Sequence, residues 1–301
     1  MTADSPAELW VLCDVRDKRV PQTCLEVLGA AARLARGSGA PVAAVVADTA
    51  APEDIARLVA GGADKVYRMV FAGGGADDAA FAAAVAGAAR CFLPHIILAP
   101  STVRGRFMAA QTAAHLDVGL MADCTALTIG DDGVLAGTRS AFSGTMTITV
   151  SCTPPRPHMA TLRPGAFEPL PPSHFHSAET IDFTPQPAAC GGLELLAAEL
   201  MPPGRKTLHD ADIILSGGMG LGSKEEFAKL ARLAEMTGAA PGASRAAVNA
   251  GFAPYCHQVG MTGTIVRPRL YVAFGISGAP QHLAGMASSG RIIAVNIDKK
   301  A

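Results

Sequence analysis

Three glycine-and-hydroxyl loops, SGGMGLGS (216–223), GASRAAVNAG (242–251) and GISGAPQH (275–282), fall within one short stretch of this 301-residue chain. The first and third follow directly on apolar runs, Ile213–Leu215 and Leu270–Phe274. An apolar run that ends in such a loop and passes into a helical pattern is a strand-to-helix turn, and open α/β sheets bind ligands at that end of their strands. Glycine lets backbone N–H groups come close to a ligand, and successive N–H groups at a loop or helix N-terminus cradle phosphate oxygens. Three such loops predict a small α/β unit whose ligand has phosphates and a long body. The GK[ST] ending of a P-loop is absent and the spacing is not GxGxxG, which argues against a nucleotide-triphosphate or nicotinamide fingerprint.

The chain ahead of this unit alternates short apolar runs with longer alanine-rich patterns. Strands are predicted at Leu9–Cys13, Val42–Ala47, Lys65–Arg68 and His95–Ala99, and helices at Thr23–Arg36, Pro52–Ala60, Asp77–Cys91 and Arg104–Leu116. Strand–helix alternation gives a mostly parallel sheet with helices on both faces. From Ala122 to Leu162, β-rich runs (Thr125–Ile129, Val134–Arg139, Thr145–Ser151, His158–Arg163) follow one another, and they extend that sheet most simply as an antiparallel section. About half of the 21 prolines fall between Pro154 and Pro203. Proline at this density disfavours helix and central strand, so 164–205 reads as a connection between an N-terminal domain, 1–163, and a second domain, 206–301. The second domain is predicted to run strand Asp212–Ser216, helix Lys224–Thr237, helix Ser244–Ala250, strand Leu270–Phe274, helix Ala279–Met286 and strand Arg291–Asn296, with Ser223 and Glu226 as a capping box. The fold class is α/β, two domains, each a largely parallel sheet flanked by helices.

Composition narrows the function classes. With Lys+Arg 25 against Asp+Glu 26 the net charge is −1, so no global field draws the chain to nucleic acid or anionic membrane. Apolar segments are interrupted well before a membrane span is complete, and MTADSPAELW lacks a basic leader, so stable membrane insertion is not expected and the location read is cytoplasmic. Seven cysteines (Cys13, Cys24, Cys91, Cys124, Cys152, Cys190, Cys256) contain no CxxC pair and read as buried free thiols, not as metal or iron–sulfur ligands. No nucleophile–base pair stands out, so turnover by the chain alone is not expected.

Several side chains around the loops carry usable chemistry. Ser244 is placed as a helix N-cap with Arg245 just inside, where a cation opposes the helix dipole and calls for a compensating anion or electron-rich ring. QVGMTG (258–263) offers Gln258 and Thr262 beside two glycines, and Ser277 and His282 flank the end of the strand Leu270–Phe274.

The blocks LSGGMGLGS, GASRAAVNAG, QVGMTG, YVAFGISGAPQHLAGM and IAVNID, in this order, resemble the FAD-binding domain of the electron transfer flavoprotein α subunit, a Rossmann-like domain. LAPSTVRGR (98–106) and TLRPG (161–165) are similar to stretches of the family's first domain, and AFSGTMT with RPHMATLRP is closer to α subunits that partner acyl-CoA dehydrogenases in anaerobic bacteria than to the mitochondrial form. The resemblance implies FAD as cofactor and a β subunit as partner. It further implies electron transfer between an acyl-CoA dehydrogenase or related flavoenzyme and a downstream acceptor, in fatty acid β-oxidation. Carried over by motif, Ser244 and Arg245 meet the diphosphate and the isoalloxazine. Gln258, Val259, Gly260 and Thr262 lie along the flavin, with Thr262 near its N5. Gly275, Ile276, Ser277, Gly278, Gln281 and His282 form the loop whose histidine faces the flavin O2, and Asn296 lies on the adenosine side. A cationic or hydrogen-bonding His282 and a stacked Arg245 would oppose the negative charge that reduction places over N1 and C2=O2.

The resemblance also implies departures. Met219 stands where the family carries arginine, Met261 where it carries glutamine and Thr264 where it carries lysine, and the family continues through a further strand after DKKA (298–301). These differences motivate an alternative expectation, a scaffold subunit with the family's fold that binds FAD weakly or not at all. Whether the complex is a simple carrier or an NADH-dependent bifurcating one is not written in this chain.

Overall fold

The computed structural model describes residues 8–15, 18–36, 39–71, 77–141, 146–173, 177–185, 208 and 211–299. The described residues fall into two compact units, one comprising those up to 141 and from 147 to 185, the other comprising 146, 208 and 211–299.

The first unit is built on strands β1 (Leu9–Leu12), β2 (Val42–Ala47), β3 (Lys65–Met69) and β4 (Ile96–Pro100), alternating with helices α1 (Gln22–Ala35), α2 (Pro52–Ala60), α3 (Asp78–Phe92) and α4 (Val103–Leu116). LWVL and VAAVVA are apolar at nearly every position because a parallel strand covered by helices on both sides buries both its faces. The period of two is visible in the packing. Leu9, Val11, Val42, Ala44 and Val46 join a core with Val27, Leu28 and Leu58 of α1 and α2. Trp10, Leu12, Ala43 and Val45 join the opposite core with Phe81, Val85 and Met108 of α3 and α4. Asp77 caps α3 through Ala80 N at 2.6 Å and Thr102 caps α4 through Gly105 N at 2.9 Å, satisfying donors that a helix start otherwise leaves open.

Beyond α4 follow β5 (Leu120–Cys124), β6 (Ala126–Ile129), β7 (Leu135–Ala141), β8 (Met146–Ser151), β9 (His158–Leu162) and β10 (Glu179–Phe183). The seven-stranded sheet has the order β10-β3-β2-β1-β4-β9-β5. Two expectations are corrected. The β-rich runs do not extend the main sheet as an antiparallel section: β6, β7 and β8 form a separate three-stranded sheet, β6 antiparallel to β7, while β9 enters the main sheet parallel to both β4 and β5. Part of the span read as a connection is also sheet. Glu179–Phe183 adds an edge strand parallel to β3, fixed by Arg68 gripping Asp182 with two hydrogen bonds of 2.7 Å.

The second unit runs β11 (Ile213–Gly217), a 3-10 turn at Met219–Leu221, α5 (Lys224–Thr237), β12 (Ala240–Ala243), α6 (Arg245–Asn249), a 3-10 turn at Tyr255–His257, β13 (Leu270–Phe274), α7 (Pro280–Leu283) and β14 (Ile292–Val295). Its sheet is parallel, in the order β12-β11-β13-β14. Phe227, Leu230 and Ala234 of α5 pack with Leu215 on one face. On the other, Ile214 and Tyr271 pack with Val259, Val266 and Met286, so the irregular segment after α6 does the work of a covering helix. The capping box is half formed: Ser223 accepts from Glu226 N at 3.2 Å, but the Glu226 carboxylate turns to Lys229.

Of the cysteines, Cys190 lies outside the described residues, and the other six are free thiols. Cys91 and Cys256 are exposed, contrary to the expectation of burial throughout. Among the described residues no helix is long and apolar enough to cross a membrane.

Candidate functional site

In a parallel sheet every strand delivers its following loop to the same edge. Here that geometry gathers Met219 and Gly220 after β11, Ser244 and Arg245 after β12, Gly275, Ile276 and Ser277 after β13, and Asn296 after β14. Together with Val259, Gly260, Met261 and Thr262 they line a cavity of about 540 Å³. This lies within the roughly 300–1,000 Å³ that small-molecule and cofactor sites occupy.

Glycine is required here for a reason beyond ligand approach. The β11 and β13 loops cross so closely that a Cβ on Gly275, whose φ is +59°, would lie 2.7 Å from both Cα and C of Gly220. Gly220 N donates to the Gly275 carbonyl at 3.0 Å, and Gly218 N to the Phe274 carbonyl at 2.8 Å. A second crossing brings Gly285 against Gly260, where a Cβ would meet the Gly260 Cα at 2.4 Å. Both contacts hold loops together at the rim, so part of the glycine pattern is structural.

Ser244 caps α6 as predicted, its hydroxyl accepting from Ala247 N at 3.3 Å. Arg245 follows at the first helical position, exposed at the cavity wall. It is the one cationic side chain among the described residues lining the cavity. With the backbone dipoles of α6 also positive at this end, the wall favours an anion or an electron-rich ring.

Gln258 does not line the cavity. It is 3% exposed, and its Nε2 donates to Thr262 Oγ1 at 3.0 Å. Thr262 does line the cavity, and because its oxygen already accepts from Gln258, its own O–H is the group left to donate elsewhere. Gln258 is thus a buttress for Thr262. Tyr255 adds to it, donating from its hydroxyl to the Thr262 carbonyl at 2.7 Å. Asn296 is likewise partly engaged: its Nδ2 donates to the Ile276 carbonyl at 3.0 Å, tying the loops after β13 and β14 together.

His282 sits on α7, 7% exposed at the cavity wall. Its Nε2 lies 2.9 Å from the hydroxyl of Tyr271, and its Nδ1 is buried with no partner at hydrogen-bond geometry. Burial pushes the His282 pKa below the ordinary histidine value, an effect the Val259 carbonyl partly opposes. Of the predicted site residues, Ser244, Arg245, Val259, Gly260, Thr262, Gly275, Ile276, Ser277, Gln281, His282 and Asn296 come together at the cavity. Gly278, at φ +68°, shapes the turn after β13 and stays off the wall. Asn249, Met261, Ala279 and Asp298 line it without having been anticipated. Asn249 lies one helical turn beyond Arg245 on α6, a spacing that could have pointed to it.

Residues 207–287 match the family described as the electron transfer flavoprotein FAD-binding domain, and residues 9–188 match the electron transfer flavoprotein domain. The chain is 36% identical over 298 residues to the electron transfer flavoprotein subunit alpha of Thermoanaerobacterium thermosaccharolyticum, covering 96% of this chain and 88% of that protein. It is 36% identical over 306 residues to the subunit of the same name from Clostridium acetobutylicum, covering 97% and 89%. It is also similar to the protein FixB of Clostridium saccharobutylicum, at 35% identity over 305 residues, covering 97% and 88%.

Proposed function

The chain belongs to the electron transfer flavoprotein α-subunit family and carries that family's FAD-binding domain, and we propose that it holds FAD in the cavity at the carboxyl edge of β11–β14 and works as half of a heterodimer with a β subunit. The observation that carries this reading is the convergence of all four strand-end loops on one cavity whose only cationic side chain among the described residues is Arg245. In this reading the complex passes electrons between an acyl-CoA dehydrogenase-type flavoenzyme and a second redox partner, in the cytoplasm and in the service of fatty acid oxidation.

The residues fit the cofactor. Bound FAD supplies the capacity to take up and release electrons singly or in pairs. Ser244 shapes the turn that brings backbone N–H groups to the diphosphate, and Arg245 lies along the ring system or the diphosphate as a fixed positive charge. Thr262, its oxygen held by Gln258, would offer its O–H to the flavin ring near N5. Gly275, Ile276 and Ser277 would let the backbone run close to the ring, with Gly278 shaping the turn behind them; Gln281 and His282 would lie at the pyrimidine side, and Asn296 would brace the loop at the adenosine end.

The scaffold alternative draws on Met219, which lies at the cavity wall, 48% exposed, where the resemblance calls for arginine. Co-expression of the chain with a β subunit, followed by a visible spectrum and flavin analysis of the purified complex, separates the two. The proposal expects a yellow complex with bound FAD, and Arg245→Ala to weaken FAD by about 10- to 150-fold, the loss of one charge-assisted contact of about 1.5–3 kcal/mol. A stable colourless complex overturns it in favour of the scaffold.

A further inference from the structure

The His282 ring is clamped from behind the cavity by a residue that opens the block YVAFGISGAPQHLAGM but does not line the cavity. Tyr271 is the second residue of β13, fully buried, with its hydroxyl 2.9 Å from His282 Nε2. The two rings meet edge to face, centroids 6.0 Å apart at 62°. Ser216, on the neighbouring strand β11, is also fully buried, and its hydroxyl has no partner at hydrogen-bond geometry. The contact has an electrostatic direction. A neutral imidazole has one nitrogen that donates and one that accepts. The backbone group acting on the ring is the Val259 carbonyl, which can only accept and so draws a proton onto the nitrogen it faces. Burial keeps the Tyr271 phenol protonated far above neutral pH, so its O–H is a standing donor. Nε2 is the nitrogen that Tyr271 holds, and the ring proton is therefore assigned to Nδ1.

We propose that Tyr271 is a positioning residue that donates its O–H to Nε2 and fixes His282 as the neutral Nδ1–H tautomer. This deepens the FAD reading and rests on it for its consequence. The wall beside the flavin then presents a fixed, uncharged imidazole, and the positive charge that this chain sets against a reduced flavin comes from Arg245. The buried Nδ1 has no partner at hydrogen-bond geometry, so the Val259 carbonyl biases its proton without holding it, and an acceptor that enters with the ligand can take it.

The test uses the full chain in complex with its β subunit, labelled with 15N-histidine and stripped of flavin, so that it does not depend on FAD being bound. Long-range proton–nitrogen correlation at neutral pH reads which ring nitrogen carries the proton, with the His282 signals identified by their loss in His282→Gln. The proposal expects an unprotonated Nε2 and a protonated Nδ1 in the wild-type protein, and a mixture of tautomers in Tyr271→Phe, which keeps the ring and removes only the donor. A protonated Nε2 in the wild type, an imidazolium signal, or an unchanged tautomer in Tyr271→Phe overturns it. The wild-type spectrum decides even if Tyr271→Phe folds poorly. A second readout uses the flavin-loaded complex, where Tyr271→Phe should shift the midpoint potential in the His282 background and leave it unmoved in the His282→Gln background; equal shifts in both also overturn the proposal. A colourless complex would sink the FAD reading while leaving the tautomer result standing.

Discussion

Replacing Gly275 with alanine tests whether the crossing of the β11 and β13 loops assembles the cavity. Two costs arise. The residue sits at φ +59°, where an L side chain is disfavoured by about 1–2 kcal/mol. The new Cβ would also stand 2.7 Å from two Gly220 carbons and 3.1 Å from Leu221 N, whereas unstrained carbon contacts lie at about 3.5–4.0 Å. Both neighbours are backbone, so relief requires the loop itself to move by close to an ångström, and overpacking of this kind costs about 1–3 kcal/mol. Gly238 supplies the control: at φ +69° it shares the conformational penalty, yet a Cβ there meets nothing within 4 Å. Gly275→Ala should therefore destabilise the second unit by about 1–3 kcal/mol more than Gly238→Ala does. Because Met219 and Gly220 move with the loop, it should also raise the FAD dissociation constant by about tenfold, while Gly238→Ala leaves it unchanged. Urea titration of the flavin-free complex and fluorescence titration with FAD measure the two quantities. Equal destabilisation by the two substitutions, with FAD affinity intact in both, would refute the argument that glycine is there for the crossing.

Met219→Arg restores a cation at the cavity rim, and discounted for exposure it should tighten FAD by about tenfold; an unchanged dissociation constant would mean that this loop does not face the cofactor. The pH dependence of stability has a definite sign. His282, His95 and His158 all have pKa values lowered chiefly by burial, with Arg156 adding to the effect on the last two. The unfolded chain then binds protons first as pH falls, so stability is complete above about pH 6.5 and declines below it, with a slope of at most about 1.4 kcal/mol per pH unit for the well-buried His282. Melting temperatures recorded from pH 8 down to pH 5 check this, and a flat profile through that window would contradict the burial of these rings.

The difference between what the sequence discloses and what it conceals follows from where each element's determinants lie. β1 and β2 are legible because burial on both faces writes an uninterrupted apolar run, and α2 and α5 because Pro52 and Ser223 open amphipathic stretches. β12 is not legible: APGA has turn composition, and Pro241 lacks a donor. It is tolerated because β12 is an edge strand whose only ladder is to β11; on the open side a single bridge, Ala243 to Gln258, lies beyond Pro241 and does not need its N–H. β10 is concealed for a related reason. ETIDF is largely exposed and lies among prolines, and what holds it at the edge is long-range: its ladder with β3, the packing of Ile181 and Phe183 on the core, and the Arg68–Asp182 pair, whose partners stand 114 residues apart.

The same distinction governs the site. Ser244 and Arg245 act through their own helix start, so their roles can be read from adjacent letters. Gln258 looks like a ligand contact in QVGMTG, but its burial under Thr262 makes it a support one step removed. Gly220 and Gly275 look like a cradle for phosphate, but each is needed by the other across a crossing of two loops. Tyr271 carries no signal in the strand YVAFG beyond an aromatic residue suited to a core, because its hydroxyl acquires a role only when α7 sets His282 against it. Most side chains that touch the cavity, Asn249 and Asp298 apart, are therefore disclosed by motif, while those that orient them come from alternate strand faces and buried loops. If that division holds, Gln258→Ala should act through Thr262, and the double substitution with Thr262→Val should weaken FAD no further than Thr262→Val alone. Additive losses would return Gln258 to the cavity as a ligand contact in its own right.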